Sequence, residues 1–423
     1  MELFPYPNGE KLRHLAVLRL PDLLLYRAAG GLVASTTDPL LSPHVFSSRL
    51  RSPWPSWSLR DGHTAHRRWR EVAVKTISED PLTEAWVTDV ANYYGSISPH
   101  RLIEMLTKLN CPLPAVRMVT TFLDEWSSAR VPGLPVGPEP SSVMGTAFLM
   151  PLDDALARNG HTYFRYTDDV VVVGRDLARD DLEGMVTETL AELHLERSAE
   201  KTHWFPPFFA TQAVDDIILS YIHRGGRLQA SAEELMSILE QEASAAQPDV
   251  KRLRFVLKGL SSVGESFASS TLCANMNLLN ADPSNTCSYL AKTSLRSAVT
   301  RETLLHILEL PPADEREALR FHALLAMRDS SWGSAEGRVF MAVACDERAP
   351  SATRAQAWMT AARTPAWRSR EVMDAADAER HPAVRRAAVL TLRRAAPSHE
   401  KDAFLNKMTA DPYACAAAKW AAA

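Results

Sequence analysis

The sequence predicts an α+β region over residues 1–230 followed by an all-α region over 231–423. Three observations predict it. Residues 1 to about 230 carry most of the Gly and Pro punctuation and several β-branched or aromatic runs, the pattern of strands bounded by turns. Beyond 230, segments such as SAEELMSILEQEA (231–243) and DVKRLRFVLKGLSSV (249–263) repeat their apolar residues at helical spacing. The last 73 residues contain 23 alanines, which favours helix and close helix–helix approach.

The composition sets the outer limits. With 423 residues the chain is long enough for two or three cores. Apolar residues make up 46% and charged residues 23%, which excludes a disordered tail, a collagen-like fibre and a disulfide-stapled miniprotein. Lys and Arg number 47 against 51 Asp and Glu, a formal charge of −4, so bulk charge does not coat nucleic acid and any such site must be local. Five dispersed cysteines with no C-x-x-C pair suggest neither a disulfide framework nor a structural zinc site. With no signal-type N-terminal segment and no uncharged run of about 18 residues, the expectation is a cytoplasmic protein with no membrane partner.

Taken in order, residues 5–29 (PYPNGEKLRHLAVLRLPDLLLYRAA) read as a turn, a basic strand and a helix. Residues 84–106 place Asp89 at the end of a short β-like run, with Tyr94 five positions on and an amphipathic helix after it. Residues 133–156 are a Gly/Pro-rich loop running into a long apolar helix. Residues 161–176 (HTYFRYTDDVVVVGRD) read as strand, tight turn, strand, with Asp168 and Asp169 at the tip. Adjacent carboxylates repel, and a hard divalent cation is one reason to place them together. The other is simple solvation, and the chain carries three further Asp-Asp pairs, at 153, 180 and 215. Of these, Asp153-Asp154 reads as helical and Asp180-Asp181 as solvated; only Asp168-Asp169 sits between two strand-like runs.

In the C-terminal region Ser231 with Glu234 forms a capping-box pattern. Segments from Pro350, Pro382 and Pro412 align at spacings of 32 and 30 residues, with Ala355, Ala387 and Ala417 at the fifth position and Trp358, Leu390 and Trp420 at the eighth. A small-then-large apolar face after a helix-starting proline suits stacked helix pairs, loosely HEAT-like, or else an ordinary Ala-rich bundle.

Four of these segments, in this order, resemble the palm motifs of reverse transcriptases. Asp89 with Tyr94 resembles the first, and Gly133-Leu134-Pro135-Val136-Gly137 with Ser141 the second. Tyr166-Thr167-Asp168-Asp169 matches the Y-x-D-D box, and Glu200-Lys201-Thr202 the motif after it. Residues 5–29 and 45–52 are similar to fingers segments, and 215–228 resembles a primer grip weakly. The flavour is that of the bacterial antiphage group, the abortive-infection and defence-associated enzymes, in which a helical-repeat region replaces an ordinary thumb. Val136 departs from the Gln usual in the second motif.

The resemblance implies a right-hand polymerase with fingers and palm over 1–230 and an α-helical, HEAT-like domain over 231–423. It implies an RNA-directed DNA polymerase using Mg²⁺, with Mn²⁺ as an alternative, and dNTP substrates. Asp89, Asp168 and Asp169, with the Val90 carbonyl, would hold the metals, and Lys201 would be the acid for the leaving pyrophosphate. Tyr94 would exclude a 2′-hydroxyl, while Arg13, Arg19, Gly137 and Ser141 would contact the nucleotide. Arg49, Arg51, Arg67, Arg68 and Arg70 are candidates for nucleic acid, because Arg near aromatic residues suits phosphate contact and base stacking. Expected partners are an RNA template (a dedicated non-coding RNA), the DNA product, and a second copy or a companion defence protein. Two alternatives stand beside this one: template-independent, protein-primed DNA synthesis by the same site, and a helical-repeat scaffold with a vestigial polymerase.

Overall fold

A strand of four consecutive valines, Val170–Val173, has apolar side chains on both faces and therefore needs cover on both. In the computed structural model this strand is central. The structure describes residues 2–8, 11–128, 131–207, 209–214, 231–263, 266–411 and 414–422. The primer-grip-like segment 215–228, the turn residue Gly9 and the repeat-aligning Pro412 fall outside them.

The described residues of 21–214 form one unit. Its heart is a four-stranded antiparallel sheet in the order β6 (Thr162–Tyr166), β7 (Asp169–Gly174), β5 (Glu84–Thr88), β8 (His203–Phe205). Val171 and Val173 pack with Ala85 and Phe164 beneath Trp69, Ala73 and Ile77 of helix α2 (Gly62–Ser78). Helix α1 (Leu20–Thr37) contributes Tyr26, whose ring meets Phe122 and Trp126 of α5 (Leu113–Ser128) edge-on. Between sheet strands run α3 (Tyr93–Ser96), α4 (Pro99–Lys108), α6 (Glu139–Phe148), α7 (Met150–Arg158) and α8 (Arg179–Glu192). Ser98 caps α4 by accepting from the Arg101 amide, with Pro99 at the first helical position.

The described residues of 2–20 and 231–422 form the second unit, so the division does not follow the expected boundary at 230. The hairpin β1 (Glu2–Asn8) and β2 (Lys11–Val17), read from sequence as part of the fingers, belongs with the C-terminal helices. The reason is apolar cover: a two-stranded ribbon is marginal alone. Phe4 finds Phe321 at 5.6 Å between ring centres, and Tyr6 finds His322 at 6.0 Å. Glu2 accepts from the Ser351 amide at 2.6 Å and also from its hydroxyl.

The helices of this unit stack as successive pairs: 298–309 with 314–327, 334–345 with 351–361, 369–378 with 382–391, and 399–408 with 415–422. The second members of the pairs pack on one another in turn, around one core running from Leu235 to Ala421. Both bonds of the Ser231–Glu234 capping box form. The aligned eighth position is not equivalent throughout: Trp358 is buried, but Trp420 lies at the surface under the Arg393 guanidinium, 4.2 Å from its ring centre. Among the described residues no helix is long and apolar enough to cross a membrane.

Candidate active site

Strand β5 ends at Thr88 and delivers Asp89 into the interior, where it is 3% exposed. The β6–β7 hairpin closes with Tyr166 opposite Asp169, which leaves Thr167 and Asp168 as its two loop residues. β5 and β7 are neighbours, with Thr88 opposite Val170, so the strand end and the hairpin tip arrive together. The Asp89 and Asp168 side chains come close enough that the one acts directly on the ionisation of the other. Burial, then the Asp89 contact and charge, then the Asp169 charge push the Asp168 carboxyl up to about 8.

Lys201 lies in the segment before β8 and its ammonium ion-pairs with Asp89 Oδ2. Burial pulls that ammonium down, but hydrogen bonding and the three Asp charges push it up further, so its net direction is upward. The other oxygen, Asp89 Oδ1, is buried without a hydrogen-bond partner. Val90 bridges Arg197, yet the bonds of that bridge are made by Ala91 N to Glu196 O (2.8 Å) and Ser198 N to Asp89 O (2.8 Å). The Val90 carbonyl therefore faces away from that segment.

These donors suit a hard cation: an orphaned carboxylate oxygen, a second carboxylate forced to keep its proton, and a backbone carbonyl beside them. Asp169 is exposed and acts on the pair through its charge. Among the described residues no three His, Cys, Asp or Glu side chains form a group that could hold a metal ion, so the expected three-carboxylate set is not assembled here; Asp169 flanks Asp89 and Asp168.

Tyr94 is half-buried beside the pair's strand, its ring 5.4 Å from that of Tyr93. The Gly/Pro loop is strapped to it: Leu134 N donates to the Tyr94 carbonyl at 2.8 Å. Gly133 has φ +61°, and a Cβ there would sit 2.1 Å from that carbonyl oxygen, so only glycine fits. Gly137, at φ +118°, is exposed at the other end of the loop. Ser141 is a correction. It is 1% exposed and hydrogen-bonded with the Tyr26 hydroxyl at 3.1 Å, so it ties α6 to α1 inside the core and offers nothing to a nucleotide.

The arginines divide. Arg49 is committed to its own loop, pairing with Asp38 at 2.8 Å and donating to the Ser42 carbonyl at 3.0 Å. Arg70 donates to the Val214 carbonyl at 2.7 Å. Arg51 is exposed, and Arg67 and Arg68 are exposed beside Glu71 at 3.7 and 4.0 Å. Arg49, Arg68 and Arg60, the last unassigned from sequence, line a cavity of about 380 Å³ with Val45 and Phe46. Arg13 and Arg19 lie in the other unit; Arg13 stands opposite Tyr6 on β2, and Arg19 acts electrostatically on His381.

The residue that sequence reading missed is Arg165. It is 0% exposed and grips Asp153 at both carboxylate oxygens, with Nε to Oδ1 at 2.8 Å. Its Nη1 donates to the Thr167 carbonyl at 2.7 Å, and Nη2, which also holds Asp153, donates to the Thr146 carbonyl at 3.0 Å. Burial opposes its charge and Asp153 more than restores it, so its net direction is upward. Thr167 has φ +58°, a conformation that costs a β-branched residue roughly 1–3 kcal/mol. The signal available in the sequence was an arginine at the centre of an apolar strand, Tyr163-Phe164-Arg165.

No family model matches the chain, and no curated protein matches it. Among solved structures, one of telomerase from Candida albicans in complex with a TWJ fragment of telomeric RNA aligns at a TM-score of 0.33 and 12% identity, over 78% of this chain. The alignment spans 63% of that telomerase chain.

Proposed function

We propose that the chain is a nucleic-acid polymerase of the reverse-transcriptase type, joining dNTPs into DNA on an RNA template. One observation carries the reading: Asp89 and Asp168, from a strand end and an adjacent hairpin tip, meet with a buried oxygen left unsatisfied. Nucleotidyl transfer needs such a pair. Asp89 Oδ1, Asp168 and the Val90 carbonyl would hold Mg²⁺, with Asp169 as the flanking ligand. Bound there, the cation activates the attacking 3′-hydroxyl and offsets charge on the leaving pyrophosphate.

The chain's own residues do the rest. Lys201, kept protonated beside Asp89, neutralises the site and is within its reach to protonate the leaving group. Tyr94, clamped from behind by the Gly133–Leu134 loop, is the candidate wall against a 2′-hydroxyl. The cavity edged by Arg60 and Arg68 is the candidate contact for template phosphates. In chain order the helical unit follows the palm-like segments, as a thumb does in other polymerases. A dedicated RNA and an antiphage role follow from the motif resemblance alone.

The test is direct. Purified protein is sequenced for bound nucleic acid, then given Mg²⁺ and labelled dNTPs. DNA synthesis that requires RNA and is lost in Asp168→Asn supports the reading. RNase-resistant product linked to protein would move it to protein-primed synthesis. No incorporation under either condition would overturn it.

A further inference from the structure

Thr167 occupies a conformation its side chain disfavours, yet both its backbone polar groups are gripped by side chains, one from two residues back on the same strand and one from across the fold. Its carbonyl accepts from Arg165 at 2.7 Å. Its amide donates to Ser47 Oγ at 2.8 Å, across 120 residues of sequence. Ser47 Oγ is in turn 3.2 Å from Thr146 Oγ1 near the end of α6, and Arg165 reaches the Thr146 carbonyl. The Arg165 main chain is fixed as well, accepting from Phe46 N at 3.0 Å and donating to His44 O at 2.9 Å. Asp153, on α7, holds the guanidinium in plane.

We propose that Ser47, Arg165 and Asp153 are positioning residues: together they hold Thr167 in its left-handed conformation and so aim the Asp168 carboxylate at Asp89. The inference deepens the polymerase reading and rests on it for its consequence. It also explains why three separate segments meet here. A two-residue loop closed by threonine would relax toward a conformation with negative φ if freed, and the next residue in the chain is Asp168. The brace additionally joins α6, which follows the Gly133–Gly137 loop, to the hairpin through the two bonds at Thr146. Seating of that loop and placement of the carboxylate would therefore be coupled.

Two variants separate bracing from folding. Ser47→Ala removes the amide grip and the contact with Thr146 while leaving the Arg165–Asp153 pair in place. Arg165→Met with Asp153→Leu replaces the buried ion pair by apolar groups, a change that buried pairs often tolerate. The first readout is amide hydrogen exchange at Thr167, Asp168 and Asp169, which requires no catalysis. The second is Mg²⁺ half-saturation, read by thermal shift and by dTTP incorporation on oligo(dT)-primed poly(rA).

Both variants are expected to stay folded, to exchange faster at the turn, and to need about 10–100-fold more Mg²⁺, with dTTP KM little changed. Thr167→Gly, which tolerates positive φ unaided, is expected to recover much of that loss in the Ser47→Ala background. Wild-type exchange at the turn in both folded variants would overturn the inference, as would faster exchange with unchanged Mg²⁺ dependence. If wild-type protein incorporates no dTTP at all, the polymerase reading fails, while turn exchange and the Mg²⁺ thermal shift still decide the brace.

Discussion

The two units bury charge in opposite ways. In the stacked helices the buried arginines, Arg320 and Arg354, are each matched by a carboxylate, as is the half-buried Arg385. Arg320 pairs with Glu317 at 2.6 Å, Arg354 pairs with Glu379 and donates to Ala344 O, and Arg385 pairs with Asp411 at 2.5 Å. In the sheet unit one such balanced pair, Arg165–Asp153, lies beside two acids, Asp89 and Asp168, that share one cation, Lys201, and leave Asp89 Oδ1 without a hydrogen-bond partner. Matched charge is architecture. Unmatched charge is held in place by that architecture and is available for chemistry.

The largest expected effect is at the unmatched pair. Asp168→Asn should lower Mg²⁺-dependent dNTP incorporation by about 10²–10³-fold or more and should abolish the Mg²⁺-induced rise in Tm, measured by primer extension and thermal shift. At the matched pair the consequences reverse. Arg354→Met leaves Glu379 buried without its cation and should cost about 3–5 kcal/mol in denaturant unfolding, with Mg²⁺ half-saturation unchanged. Loss of Mg²⁺ dependence in a folded Arg354→Met protein would break the distinction. Next in size, Tyr94→Val should relax discrimination against ribonucleotides by about 10–100-fold, seen as the ratio of kcat/KM for dNTP and rNTP. Smallest, Arg60→Ala and Arg68→Ala should each reduce the salt slope of RNA binding by about one, with no change in Mg²⁺ half-saturation.

How much of this was legible in the sequence depends on how local each determinant is. Asp89, Tyr94 and Asp168 could be found because each sits in a short contiguous pattern of strand and turn. The pairing of Asp89 with Asp168 could not, since it depends on β5 and β7 being neighbours although α3 to α7 and β6 lie between them in the chain, whereas the antiparallel β6–β7 hairpin itself was readable. Asp153 read as one half of a helical Asp-Asp pair, and only the fold supplies Arg165 to it. Ser141 carried the motif's residue type but lies on the core face of α6, where Tyr26 takes its hydroxyl. Of the β1–β2 hairpin, the turn and the basic strand were readable but the first strand was not. Nor was the hairpin's allegiance, because an apolar face says that cover is needed and not who supplies it.

That allegiance has a consequence for how the molecule is made and cut. Glu2 and Ser351 touch although they stand 349 residues apart in the chain. Strand β1 must therefore wait for the helices that carry Phe321 and Ser351, and closing that loop is a late, slow event in the folding of its unit. The carboxylate-bearing unit is inserted between those two moments, joined at both ends. A single protease nick near residue 20 or in 215–230 cannot set it free. A fragment ending at 230 would carry Phe4 without Phe321, whereas one cut at 21 and 214 carries its own core intact.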